Sequence, residues 1–402
     1  MQDTTTWGGV DWAQAEHAVC VVDDTGTVQT QFTIAHTADG LNDLCEGLRR
    51  ANVARVAIER PDGPVVDALM TAGLDVVVVS SRIVKALRTR YGSAGNKSDR
   101  SDAYILADCL RTDGHRWPSL QPDTPATITL RTHVRARKDL VETRVATTNQ
   151  LRALLAVCFP GAIGLFADLD STISLRFLTR FPNTERANWL SEKRLGAWLR
   201  ANGYCGRKTP DELYARLRRA PAVPASDHDE RGSVVVAYVN VITSLRAQIT
   251  ELETRIKELL DAHPDAPIFQ SLPRAGTVRA ATLLAEIGDC RARFPDPESL
   301  ACLAGVAPST RASGKHHAVT FRWACDKQLR NAICDFAGDT PRANRWAEQR
   351  YRQLRADGKR HPHAERILAR TWCHIIWRCW QDHAPYDPSK HRALNQLETA
   401  AA

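Results

Sequence analysis

The sequence predicts an α/β domain at the N-terminal end joined to an all-α remainder. Residues 7–34 alternate apolar and polar side chains with the period of strands, whereas from about residue 125 apolar residues recur three and four apart, as on helices. Size is the third observation. A chain of 402 residues, 43% apolar and 25% charged, is too long for one core and too apolar for disorder, so two or three folded domains are expected.

The elements follow in order. WGGVDWAQ, HAVCVVDDTG and TVQTQFTIAH read as an antiparallel meander, with Asp24-Thr25-Gly26 as turn material between the last two. Residues 39–51 carry Leu41, Leu44, Cys45 and Leu48 on one helical face. VARVAIE is a short strand ending at Glu59, VVDALMTAG a helix closed by Gly73, and DVVVVS a buried strand. Three antiparallel strands, then helix, strand, helix and strand, is the order of a ribonuclease H-like fold. NKSDRSDAYILAD, residues 96–108, then opens a helix with two aspartates.

Residues 126–157 and 233–262 are long helical stretches, the second close to heptad spacing, and are expected to form a coiled-coil pair. Between them, roughly 160–232 is expected to be an insertion or cap, with PAVPASDHDERG (221–232) as a linker. IFQSLPRAGTVRAATLLAEIGDC predicts a helix-hairpin-helix-like element turning at Pro273 to Gly276, with Arg274 where such turns usually have glycine. LACLAGVAPSTRASGKHH reads as a short helix entering a flexible loop. In RILARTWCHIIWRCW, Trp372, Ile375, Ile376 and Trp380 fall at helical spacing and are expected in the core.

Eleven cysteines, no C-x-x-C pair and no basic segment followed by an apolar run at the N-terminus point to free thiols in a cytoplasmic protein. No run of eighteen uncharged apolar residues occurs, so no membrane partner is expected. The formal charge of +8 is concentrated. Between Arg311 and Trp380 fifteen Lys or Arg face six Asp or Glu, a balance of +9, which leaves the rest at −1. Such a region suits a polyanion, because each neutralised phosphate releases counterions.

The chemistry is expected from carboxylates. Asp11 closes the first strand, Glu59 a later one, and Asp99 and Asp102, three apart, share a helix face. Unpaired carboxylates that converge repel one another, and a divalent cation relieves this; hard oxygen donors select Mg²⁺ or Mn²⁺. Two such ions can activate an attacking oxygen and stabilise a leaving one in phosphodiester cleavage. Taken singly, each acid also has an ordinary explanation, since Asp near a helix start favours the dipole and Glu59 has Arg60 beside it.

GVDWAQAEHAVCVVDDTG, VAIERPDG and NKSDRSDAYILAD resemble the DEDD transposases of bacterial insertion sequences, whose N-terminal domain is similar to the Holliday-junction resolvase RuvC. LPRAGTVRAATLLAEIGDCRARFPDPESLACLAGVAPSTRASGK resembles the C-terminal transposase domain of the same proteins. The resemblance implies a metal-binding tetrad of Asp11, Glu59, Asp99 and Asp102, and a serine nucleophile at Ser313, which precedes Gly314; Ser309 is the nearby alternative. It further implies double-stranded donor and target DNA as partners and a structured noncoding guide RNA. The coiled-coil stretch and the need to pair two DNA sites favour a homodimer or homotetramer.

The expected organisation is a RuvC-like domain over 1–124, a helical coiled-coil region over 125–262, a C-terminal transposase domain over 263–385 and a flexible tail over 386–402. Rival readings are a junction resolvase that uses water and a non-catalytic nucleic-acid-binding protein. An actin-like ATPase would need a glycine-containing phosphate turn, but Trp-Ala-Gln follows Asp11.

Overall fold

A computed structural model describes residues 5–91, 98–221, 228–314, 316–391 and 393–394. The fold is mixed α/β and mostly helical, in two compact units, Met1–Pro122 and Asp123–Ala402.

The first unit runs β1 (Thr6–Trp12), β2 (Glu16–Val22), β3 (Val28–Ala35), α1 (Ala38–Arg50), β4 (Val53–Ile58), α2 (Pro64–Thr71), β5 (Asp75–Val78), α3 (Ser81–Tyr91) and α4 (Asp99–Asp113). The strands form one sheet in the order β3-β2-β1-β4-β5, with β2 antiparallel to β1 and β3, and β4 parallel to β1 and β5. This is the element order expected from the sequence, plus α3, which that reading left unassigned. The period of two sorts β2 between two cores. Val19 and Val21 pack with Leu44 and Leu48 of α1 and Leu69 of α2, while Ala18, Cys20 and Val22 pack with Ala103 and Ala107 of α4. Helices therefore cover both faces, and β2 is buried from His17 to Val22 rather than alternating.

In the second unit, α5 (Pro125–Cys158) is followed by α6 (Thr172–Arg180), α7 (Thr184–Ala187), α8 (Glu192–Ala201) and α9 (Pro210–Arg219), then by α10 (His228–Asp261). Buried residues of α10 fall at 232, 235, 239, 242, 249, 256 and 260, and those of α5 at 127, 130, 134, 147, 148, 151, 155 and 158, all but 147 at heptad positions. The two helices run antiparallel. Leu130 and Val134 share a core with Ile256 and Leu260, Leu151 and Leu155 share another with Val235 and Val239, and Arg137 pairs with Glu253 at 2.6 Å. The heptad seam that suggested a dimer is thus filled within one chain. Glu230–Asp261 is also the one helix among the described residues that is long and apolar enough, by length and composition alone, to cross a membrane.

The segment expected to be an insertion or cap is helical. Helices α6, α8 and α9 bring Phe177, Leu195 and Leu213 into one core with the far ends of α5 and α10. Residues 222–227 of the expected linker and 395–402 of the expected tail lie outside the described residues.

The chain continues with α11 (Ala266–Gln270), α12 (Thr277–Ile287), α13 (Pro297–Leu303), β6 (Ser309–Ser313), β7 (His316–Thr320), α14 (Lys327–Asp339), α15 (Arg345–Ala356) and α16 (His361–Gln381). Between α11 and α12, Arg274 takes a left-handed φ of 59°, the conformation that glycine adopts most cheaply. Its Nε donates to Asp339 at 2.8 Å, and its carbonyl accepts from Arg279 at 2.8 Å, so local strain is offset by an ion-pair network. As expected, Trp372, Ile376 and Trp380 of α16 are buried; Ile375 packs at the edge of that core.

One expectation is corrected here. Residues 309–320 form a two-stranded antiparallel hairpin, where a flexible loop was expected. Ser313 pairs with His316 across the hairpin, and Gly314, next after Ser313, has φ +54°, a left-handed conformation that glycine adopts without strain. Two strands of five residues leave little periodic signal, which is why the sequence conceals them.

Candidate active site

Because Val10 lies opposite Ile58 in the parallel β1/β4 pair, the next residues, Asp11 and Glu59, lie side by side at the C-terminal ends of adjacent strands. Helix α4 lies directly on β1. A Cβ added at Gly9 would fall 2.2 Å from the Ala103 carbonyl oxygen and 2.4 Å from the Ala107 nitrogen, so glycine is what allows this approach. The helix starts where Ser98 caps it by accepting from the Ser101 N–H at 3.2 Å. That start makes Asp99 its first residue and places Asp102 just before Ala103, the residue that meets Gly9.

Asp102 is buried, its side chain 3% exposed. Both its oxygens accept from Arg88 of α3, Oδ1 from Nε at 2.8 Å and Oδ2 from Nη2 at 2.6 Å, a bidentate charge-assisted pair. The Arg88 guanidinium is held more firmly protonated than usual, first by the Asp102 hydrogen bonds and then by the fields of Asp102, Glu59 and Asp11. One cation thus senses three of the four expected acids. Asp99 is exposed at the helix start. Among the described residues, no three His, Cys, Asp or Glu side chains are close enough to hold one metal ion. The donor chemistry, carboxylate oxygens only, nonetheless fits Mg²⁺ or Mn²⁺, which are commonly held by one or two protein carboxylates with water completing the shell.

Sequence reasoning missed one neighbour, Arg88, concealed in a basic helix, RIVKALRTR, that carried no motif. It named Arg60 beside Glu59 and Trp12 after Asp11 but not their contact: Arg60 lies 4.4 Å over the ring of Trp12. Trp12 in turn stacks on His17, and His17 Nε2 meets His36 Nδ1 at 2.8 Å. Asp108, further along α4, is a structural acid bound by Tyr91 and Arg111.

Ser313 lies in the other unit, exposed at the tip of the β6–β7 hairpin. Ser309 stands at the opposite end, paired with Thr320, whose hydroxyl donates to the Ser309 carbonyl at 3.1 Å. Lys315, between Gly314 and His316, lies outside the described residues. All eleven cysteines are free, as expected, and burial pushes the Cys334 thiol up to about 11.

Residues 8–160 match a family model described as Transposase, and residues 266–352 match that of the Transposase IS116/IS110/IS902 family. The chain belongs to the IS110 transposase family. The transposase is 32% identical to the mini-circle IS117 protein of Streptomyces coelicolor over 99% of both chains. It is 26% identical to the IS900 insertion-element 42 kDa protein of Mycobacterium paratuberculosis, over 95% of this chain and 97% of that one. Among solved structures, T. thermophilus RuvC in complex with Holliday junction substrate is matched at 16% identity over 29% of the transposase and 99% of that chain, with a TM-score of 0.24.

Proposed function

We propose that this transposase cuts and rejoins DNA strands through a serine-linked intermediate, with a ribonuclease H-like, RuvC-like carboxylate centre holding Mg²⁺ or Mn²⁺. The observation that carries the reading is the β1/β4 register, which sets Asp11 and Glu59 side by side at the ends of two parallel strands, while Asp102 is held by Arg88 at the start of α4. Asp11 and Glu59 would hold the ion with water completing its shell, and Asp102, released by Arg88, and Asp99 would close on it as the remaining ligands of the tetrad. When bound, the ion supplies charge neutralisation at the phosphate and lowers the pKa of an attacking hydroxyl.

The rest of the reaction belongs to the chain. Ser313 Oγ attacks phosphorus and loses its proton, the bond from phosphorus to one nucleotide oxygen breaks, and that oxygen leaves as a hydroxyl. A hydroxyl of the exchanged strand then attacks the phosphoserine, and Ser313 leaves with its proton restored. Bond energy is retained throughout, so rejoining needs no external source. The exposed hairpin tip supports this role, because a nucleophile must reach a polymer that cannot enter a deep cavity.

Donor and target DNA are the proposed substrates. A structured guide RNA, held by the basic C-terminal part through its shape and phosphates, is the proposed means of choosing them. A homodimer or homotetramer in the cytoplasm is the proposed working form. The test is trapping. With Mg²⁺ and donor DNA, wild type and Ser309→Ala should form a covalent protein–DNA adduct. Ser313→Ala should form none, and Asp11→Ala, Glu59→Ala and Asp102→Ala should lose it while still binding DNA. An adduct that survives in Ser313→Ala removes the serine from the mechanism.

A further inference from the structure

Three residues beyond β7, Trp323 stands 80% exposed, more than any other large apolar side chain among the described residues. A large aromatic left in water calls for an explanation. Its ring is oriented by a neighbour. Phe321 meets it edge to face, with centroids 4.8 Å apart and planes at 80°. Phe321 is itself held by two guanidinium groups, Arg330 at 4.4 Å and Arg366 at 4.8 Å from its centroid. Arg330 is fixed in turn, donating from Nη2 to the Arg322 carbonyl at 2.5 Å, while its Nε is buried without a hydrogen-bond partner.

Beside this stack lies a cavity of about 620 Å³ whose lining includes Phe321, His363 and the cations Arg322, Lys359, Arg366 and Arg370 among neutral, largely apolar residues, and no carboxylate. Arg370 is paired with Glu298 at 3.0 Å, whereas Arg322 donates only to the carbonyls of Ala307 and Pro308, both at 3.3 Å, so its charge is not neutralised there. His363, exposed at the rim, is held below the ordinary histidine range by burial and by the nearby Arg366 and Lys359. An acidic peptide would satisfy the cations but has no use for a flat open ring. A nucleic acid strand uses both, since its phosphates meet the cations and any base offers a face to the indole.

We propose that Trp323, held by Phe321 beside this cationic cavity, is a stacking platform for an unpaired nucleotide of the DNA strand on which the transposase acts. The choice of DNA rests on the reading of Ser313 as nucleophile: platform and serine lie at opposite ends of one hairpin. The strand from His316 to Thr320 spans four intervals of about 3.4 Å, roughly 14 Å, and Trp323 lies three residues further along the chain. A DNA strand of several nucleotides, at about 3.4 Å or more each, spans such a distance, so one substrate reaches both. Trp323 is a positioning residue, holding the strand so that the phosphate a few nucleotides away is presented to the tip.

The test uses the full chain and a single-stranded DNA oligonucleotide carrying 2-aminopurine, whose fluorescence is quenched by stacking. Wild type and Trp323→Phe should quench it, whereas Trp323→Ala should bind about tenfold more weakly with the quenching lost. Arg322→Ala and Arg366→Ala should each reduce the salt dependence of binding by about 0.7 in log–log slope. Ser313→Ala should bind and quench like wild type, so a failed nucleophile assignment appears as a surviving adduct and leaves the stacking result unchanged. Unaltered affinity and quenching in Trp323→Ala would overturn the proposal. So would quenching of an RNA oligonucleotide of the same sequence while the DNA is left unstacked.

Discussion

Removing the Arg88 guanidinium tests whether the carboxylate centre is built for a cation. Arg88→Ala strips the buried Asp102 carboxylate of the two hydrogen bonds it accepts from that guanidinium and of its paired charge. Breaking a fully buried pair by removing one partner costs about 3–5 kcal/mol. Asp102 is 3% exposed, but a third of the Arg88 side chain is in solvent, and screening reduces the figure to about 2 kcal/mol. A divalent ion at the same carboxylates would reverse this loss, since ligand at about a hundred times its dissociation constant stabilises by about 2.7 kcal/mol. Urea unfolding of wild type and Arg88→Ala, each in EDTA and in Mg²⁺ or Mn²⁺, gives the comparison. The variant should fall about 2 kcal/mol below wild type in EDTA and recover most of the difference in the ion, and the double variant Arg88→Ala/Asp102→Ala should gain little from it. Coincident Arg88→Ala curves in EDTA and in both ions would refute the metal-site reasoning.

Other consequences are as specific. Gly9→Ala places a methyl group against the backbone of α4, which cannot retreat as a side chain tip would; a loss of about 1–3 kcal/mol by urea denaturation is expected, with adduct formation reduced because Asp102 shifts with the helix. Asp339 is held below the ordinary carboxylate range first by its hydrogen bond from Arg274, then by Arg279. A depressed folded pKa contributes stability that is present above the unfolded value of about 3.9 and lost as pH falls through the folded one, so Asp339→Asn should flatten the acid limb of a stability–pH curve below about pH 4. Identical limbs in both proteins would show that the Arg274 turn does not depend on this pair.

How much was legible in the sequence varies with the range of the interaction. The strands of the first unit, the helix opened by Asp99 and the two 34-residue helices were legible because each repeats its apolar spacing over many residues. So were Asp11 and Glu59 as residues at strand ends. The hairpin of Ser313 was not, since five-residue strands hold barely two periods. Arg88 and Trp323 were not either: one is a cation among several on its helix, the other a tryptophan in a short connection, and neither position repeats anything.

The sequence by itself determined the local conformations, through periodicity, the Ser98 cap and glycines at close approaches, and it placed the acids at the ends of their elements. Tertiary structure alone decided their company. It set Arg88 against Asp102 across fourteen residues and left the face of Trp323 open. Local conformation follows from each residue and its near neighbours, whereas a contact between distant elements depends on how all the apolar faces pack at once, a sum that no short stretch contains.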